Sequence, residues 1–179
     1  VLFKEINTLQ NLDYLERTHL KVTELARIDQ STETSGLMAS NLKSRAMALP
    51  TGSAEQAEAF KQAQLAYHAV YMQEPASNFV WHGTNSATLL YLSGDLAACS
   101  RLLDDFLMFA NQLPTQDIWT EASLAEHQLL RYLISGKSDL YQSVFESYQA
   151  VLAKDTKQTY YRSILKNLSL ILPHVDNLA

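Results

Sequence analysis

Along the first thirty residues the apolar positions recur at three- and four-residue steps, the spacing of one helical face. Leu9, Leu12, Leu15, Leu20, Val22, Leu25 and Ile28 predict a first helix, capped by Asn7 and running to about Asp29. The stretch DQSTETSG, residues 29–36, is a poor helix former and predicts a break. The pattern resumes at Leu37, Met38, Leu42 and Ala46 and stops before Pro50. Ser53 is the expected cap of a third helix over Ala54–Gln73, where Ala54, Ala57, Ala63, Ala66 and Val70 form a stripe of small residues. Such a stripe lets neighbours approach closely and predicts that this helix lies at the centre of a bundle.

EPAS (residues 74–77) ends the third helix, and a fourth is expected over Asn78–Ser93, closed by a left-handed Gly94. Asp95 opens a fifth with Leu96, Cys99, Leu102, Leu103, Phe106 and Leu107 inward, stopped by Pro114. Asp117 opens a sixth, with Ile118, Trp119, Ala122, Ala125, Leu129, Leu130 and Leu133 inward, which ends at Gly136. A seventh starts at Ser138 and uses Leu140, Val144, Phe145, Tyr148 and Leu152. An eighth, from about Thr156 to Leu172, carries Tyr160, Tyr161, Ile164, Leu168 and Ile171 before Pro173. No stretch alternates with period two for the length of a strand. The expectation is an all-α domain over 1–179, about seven or eight antiparallel helices in stacked hairpins, with residues 1–36 semi-independent.

Two segments share one grammar. YLSGDL and YLISGKSDL each end a helix in an aromatic and leucine, turn on glycine, and restart on Asp or Ser. Their offset of 41 to 44 residues is near the period of helix-pair repeats, whose units bury a core only by stacking. Convergent hairpin chemistry explains two such copies equally well.

Composition narrows the class. Hydrophobic residues make up 47% and charged ones 18%, too apolar for disorder, and five Gly with four Pro leave room for long elements. The single Cys99 excludes an intrachain disulfide and a cysteine-rich zinc site; its place in LAACSRLL predicts a buried structural thiol. No apolar run is long enough to span a membrane, and VLFKEINTLQ carries charges too early for a signal peptide, so the expected location is cytoplasmic. Net charge is −5, concentrated in residues 50–147, which hold eleven acidic groups against four basic ones. That middle repels nucleic acid and suits a basic partner, or serves only solubility.

Candidate chemistry is sparse. His19, His68, His82, His127 and His174 stand apart from one another and from Cys99, so no metal site is predicted; His68, in AYHAVYM, reads as a hydrogen-bonded core residue. There is no phosphate-binding glycine loop, no nucleophile elbow and no paired carboxylates at motif spacing, so neither a cofactor nor enzymatic activity is expected. The segment NFVWHGTNS places Trp81, His82 and Asn85 around Gly83, and Trp119 occupies a similar place near the start of the sixth helix. If the two helix starts share one end, Trp81, His82, Trp119 and Glu121 would line one surface; a tryptophan there serves a core or an interface. Asp104 and Asp105 fall opposite the apolar face of the fifth helix.

Across residues 37–172 the layout resembles the all-helical immunity proteins of bacterial polymorphic-toxin systems, in particular the family numbered forty-nine. The segments that carry the resemblance are LKSRAMALP, AFKQAQLAYHAV, FVWHGTNSATLLYLSGDLAACSRLL and LLRYLISGKSDLYQSVFESYQAVLAKD. It implies a cytoplasmic protein that binds and neutralises a cognate toxin, with no catalytic residues to carry over. A basic toxin surface would complement the acidic middle. Partner contacts are then expected at Trp81, His82, Asp104, Asp105, Trp119 and Glu121. The alternative is a tetratricopeptide-like adaptor or chaperone with a groove lined by Tyr67, Tyr71, Tyr91 and Tyr132. A third class is an enzyme with a convergent site, or a helical sensor domain with a small-molecule pocket.

Overall fold

A computed structural model describes residues 2–110, 117–154 and 159–172, with side chains described for 12–110, 117–154, 161 and 164–172. Those residues are helical almost throughout, and no strand occurs among them. The chain is all-α. Asn7 lies inside the first helix, which already begins at Leu2, and so is not its cap; Leu9, the Pro114 stop, Tyr160, Pro173 and His174 lie outside the residues whose side chains are described. Two compact units divide at Glu74/Pro75, whereas the sequence suggests one domain with a weak point near Gly36.

The first unit, Val1–Glu74, holds α1 (Leu2–Ile28), α2 (Thr32–Ala48) and α3 (Ala54–Tyr71). The break expected over residues 29–36 shrinks to three residues. The Asp29 carboxylate accepts from the Ser31 amide (3.0 Å) and hydroxyl (2.9 Å) and from the Thr34 hydroxyl, while the Ser31 hydroxyl accepts from the Thr34 amide (3.2 Å). This cap restarts the helix at once, and Gly36 ends up buried inside α2. Helix α2 is the middle member of this unit, packing on α1 and on α3, so the third helix is not central within it.

The buried face of α3 also differs from the alanine stripe. Gln56, Phe60, Ala63, Tyr67, Val70 and Tyr71 point inward, while Ala54 and Ala57 are exposed. With alanines all round the helix, the large side chains decide which face is inside, because they remove most apolar area from water. Gln56 fastens the α2–α3 turn: its amide nitrogen donates to the Ala46 carbonyl (3.2 Å) and its oxygen accepts from the Gly52 amide (2.9 Å). His68 is only half-buried; it leans on Tyr71, and its Nδ1 meets no hydrogen-bond partner among the described residues.

The second unit, Pro75–Ala179, contains α4 (Pro75–Asn78), a π-helical segment (Phe79–Gly83), α5 (Thr84–Leu92), α6 (Leu96–Ala110), α7 (Ile118–Ser135), α8 (Asp139–Lys154) and α9 (Thr159–Ile171). Its core is leucine- and phenylalanine-rich: Phe79, Leu89, Leu102, Leu103, Phe106 and Leu130 are buried, and Phe79 and Phe106 rings lie 6.0 Å apart. Leu107 and Phe145, expected inside, are exposed. Cys99 is fully buried, its thiol donates to the Ala87 carbonyl (3.3 Å), and burial pushes its pKa up to about 12.

The repeated tips are the same device. Gly94 (φ 80°) and Gly136 (φ 64°) adopt the left-handed conformation, and their amides donate to the carbonyls of Tyr91 (3.0 Å) and Tyr132 (2.9 Å). After the first tip Asp95 caps α6 by accepting from the Ala98 amide (3.0 Å), and Asp117, at the other end of α7 from Gly136, caps that helix by accepting from the Thr120 amide (2.8 Å).

Candidate functional site

In the first unit, α1, α2 and α3 line a groove of about 610 Å³. Leu12, Leu42, Leu49 and Ala59 supply its apolar surface; Asp13, Glu16, Glu55 and Glu58 supply acid, with Arg45 the one cation in the lining among the described residues. Arg45 pairs with Glu16 (2.7 Å) and Asp13 pairs with Arg17. Glu55 and Glu58, on the first turns of α3, make no ion pair among the described residues, so the groove keeps a negative edge. The α1–α2 side is held by His19 Nδ1 against Asn41 Oδ1 (3.0 Å) and by Asn41 donating to the Leu15 carbonyl (3.5 Å).

The tyrosine-lined groove predicted for an adaptor does not exist. Tyr67, Tyr71 and Tyr91 are core residues, and Tyr132 is half-buried with its ring 6.0 Å from Tyr141. Hydrophobic rings on helical spacing were better spent on cores. The groove instead uses leucines and glutamates from three different helices, a grouping that only the packing of α1 and α3 on α2 creates.

In the second unit Trp81 and Trp119 meet edge to face, 5.3 Å between centroids at 84°. Together with His82, Ser77, Asn78 and Val80 they line an open cleft of about 490 Å³, and Trp81 leaves 41% of its surface to solvent. Partial burial lowers the His82 pKa, keeping the ring neutral at neutral pH. Glu121 lies elsewhere: it holds Lys154 (2.6 Å) and lines a second cleft between α7 and α8. Asp104 and Asp105 are exposed on α6, and Asp104 pairs with Arg131 (2.7 Å). The structure thus joins three of the six sequence-derived residues around one cleft and ties two of the others to basic partners.

The cleft is shaped by the π-helical segment, where the chain winds wide and frees carbonyls. Side chains satisfy them: the Thr84 hydroxyl reaches the Val80 carbonyl (2.8 Å), Asn85 donates to the Trp81 carbonyl (2.8 Å), and Ser123 donates to the Val80 carbonyl (2.5 Å). Beneath it lies a polar cluster that the sequence reading missed. Thr84 Oγ1 and His127 Nε2 are 2.7 Å apart, Thr88 donates to Glu126, and Asn167 donates to the other Glu126 oxygen (2.8 Å). Burial, reinforced by Arg131, lowers the His127 pKa to about 3, so the ring is neutral and stacks on Phe106 at 4.5 Å. Burial and then Glu126 raise the Tyr148 pKa. The available signal was Thr84 and Thr88 one turn apart on α5, two polar side chains on one face of a helix whose second half is apolar.

The cluster is closed and internally bonded, suited to fixing α5, α7 and α9 in one register rather than to turning over a substrate. No group of three His, Cys, Asp or Glu side chains that could hold a metal ion occurs among the described residues. No helix in the same set is long and apolar enough to cross a membrane.

Comparison with known proteins gives one family. The model of TPR-S, Tetratricopeptide Repeats-Sensor, matches residues 1–90, running through the first unit and on to α5. No match was found among curated proteins or solved structures. With just over half of its length matched, the chain belongs to the TPR-S family, Tetratricopeptide Repeats-Sensor.

Proposed function

We propose that this protein is a non-enzymatic helix-repeat adaptor that takes a basic, partly apolar segment of a protein partner into the α1–α2–α3 groove. The observation that carries this reading is the groove's chemistry: a leucine floor beside Glu55 and Glu58, neither of them neutralised by an ion pair among the described residues. Membership of a tetratricopeptide-repeat family supports a protein-binding role, and the word sensor in its name supports one in which binding itself is the readout. Apolar side chains of the segment would bury against Leu12, Leu42 and Leu49, while lysines or arginines meet the glutamates. The acidic edge would contribute mainly to on-rate and selectivity.

The test is fluorescence anisotropy with a short labelled peptide carrying leucine and lysine at helical spacing, beside a leucine–glutamate control. Micromolar binding of the basic peptide alone is expected, with the Glu55→Lys/Glu58→Lys double variant weakening it about tenfold, near 1.4 kcal/mol. Equal binding of both peptides, or no loss in the double variant, would refute the groove.

A second reading takes the Trp81–Trp119 pair, Trp81 exposed and Trp119 half-buried, as its motive: a toxin-neutralising protein that meets its partner through the cleft with His82. Tryptophan pairs are the kind of anchor that dominates interfaces. Under this reading Trp81→Ala abolishes capture of the partner, whereas under the first it leaves peptide binding unchanged.

A further inference from the structure

Helices α8 and α9 expose matching apolar stripes. On α8 the residues Tyr141, Phe145, Tyr148 and Leu152 follow steps of four, three and four; Tyr161, Leu165 and Leu168 on α9, with Leu172 just past its end, follow the same steps. The likeness extends along the helices. YQSVFESYQAVL (141–152) aligns with YRSILKNLSLIL (161–172) without a gap, apolar for apolar at seven positions and serine for serine at one. Tyr148 and Leu168, third in each stripe, pack against one small cluster, Ala122, Val151 and Ile164. The two stripes therefore converge on the same part of the unit. Their other members stay outside: Tyr141, Phe145, Leu152, Tyr161, Leu165 and Leu172 each leave 40–58% of their surface to solvent.

Six side chains half-exposed in this way are more than isolated surface hydrophobics. With about 200 Å² for a large side chain, they offer on the order of 600 Å² of apolar area. That approaches the roughly 800 Å² per partner of a standard stable interface. The charges beside the stripes differ in sign: Glu146 follows Phe145 on α8, and Lys166 follows Leu165 on α9 at the aligned position. Laying α8 of one copy on α9 of a second therefore matches stripe to stripe and acid to base. A two-fold axis makes that contact twice, since a closed dimer uses one self-complementary patch.

We infer that the α8–α9 face is a self-association surface that pairs two copies of this chain, α8 of each against α9 of the other. This surface is separate from the groove of the proposed function and stands or falls without it.

Sedimentation velocity on the full chain from about 1 to 100 µM, a range spanning weak to strong homodimers, tests it. The expected result is a concentration-dependent shift from the 20.2 kDa chain to twice that mass. Phe145→Glu and Leu165→Glu, both at exposed positions, should each raise the dimer dissociation constant at least tenfold with unchanged far-UV circular dichroism. Mixing Glu146→Cys chains with Lys166→Cys chains should give a disulfide-linked dimer that neither variant forms alone; buried Cys99 does not compete. A monomer at every concentration, a dimer that survives both glutamate substitutions, or cross-linking within one variant alone would each overturn the proposal.

Discussion

The two units are built from different interiors. Among the described residues of the first, the buried apolar side chains are alanines, tyrosines, Phe60 and Val70, and no leucine or isoleucine is buried. Its leucines lie on surfaces: Leu20, Leu25, Leu37 and Leu65 are exposed, and Leu12, Leu42 and Leu49 line the groove. The second unit buries Leu89, Leu102, Leu103, Leu130, Ile164 and Ile171 and adds the Thr84–Thr88–Glu126–His127–Asn167 cluster. Burial of large aliphatic and aromatic side chains is the main source of folding free energy. Among the described residues the second unit therefore holds the larger aliphatic core, and the first leaves its leucines at or near its surface.

Removing a core ring from the second unit should have the largest effect. Phe106 is fully buried, packs 6.0 Å from Phe79 and stacks on His127. Phe106→Ala should cost about 3–5 kcal/mol. Both tryptophans of the chain, Trp81 and Trp119, belong to this unit, so the urea midpoint of tryptophan fluorescence reads its stability directly. A loss under 1 kcal/mol would show that the aliphatic core is not what separates the units.

The polar cluster should come next. In Thr88→Val the buried Glu126 carboxylate loses one of its two donors among the described residues while volume is kept, which should cost roughly 2 kcal/mol. The His127 ring gives a pH signature of similar size. Its pKa is about 3 when folded against an ordinary value of 6.5. Between those values the unfolded chain binds a proton that the folded chain refuses. Stability is therefore whole above pH 6.5 and falls as pH drops toward 3. At about 1.4 kcal/mol per pH unit, the loss by about pH 4.5 is roughly 2–3 kcal/mol. His127→Gln should lower stability at pH 7 and flatten this slope, and an unchanged slope would locate the titrating group elsewhere.

In the first unit the comparable test is Gln56→Ala, which removes the acceptor of the Gly52 amide and leaves the Ala46 carbonyl with the Leu49 amide alone among its described donors at the α2–α3 turn. The expected loss is about 1–2 kcal/mol, read by far-UV circular dichroism, since this unit has no tryptophan.

These contrasts also show which features a sequence carries openly. The Ser53, Asp95 and Asp117 caps and the Gly94 and Gly136 turns are local, each decided within four residues of chain, and all were legible, whereas the fourth helix expected over Asn78–Ser93 divides into α4, the π-helical segment and α5. The face of α3 was not, because alanine is compatible with both inside and outside and the choice fell to Phe60 and Tyr67 packing on another helix. The Asp29–Ser31 restart was misread as a longer break because its bonds run from side chains back to backbone, against low helix propensity. The groove and the Glu126 cluster were invisible for one shared reason. Each is assembled from three helices, and no spacing along one helix records what stands opposite.

The smallest effect is also the control for the whole comparison. Exposed ion pairs occur in both units: Arg45 with Glu16 in the first, Arg131 with Asp104 and Lys154 with Glu121 in the second. Their solvent-facing partners place them in high dielectric, where Coulomb attraction is offset by side-chain ordering and screened by salt. Glu16→Gln and Asp104→Asn should each cost no more than about 0.5–1 kcal/mol, less still in high salt. Asp104→Asn is read by tryptophan fluorescence and Glu16→Gln by circular dichroism. Equal, small losses would mean that surface charge is neutral between the two halves, leaving the difference to alanine against leucine in their interiors. A loss above 2 kcal/mol for Glu16→Gln alone would instead make the first unit an electrostatically held structure. Its acidic groove would then be part of its folding rather than a surface kept for a partner.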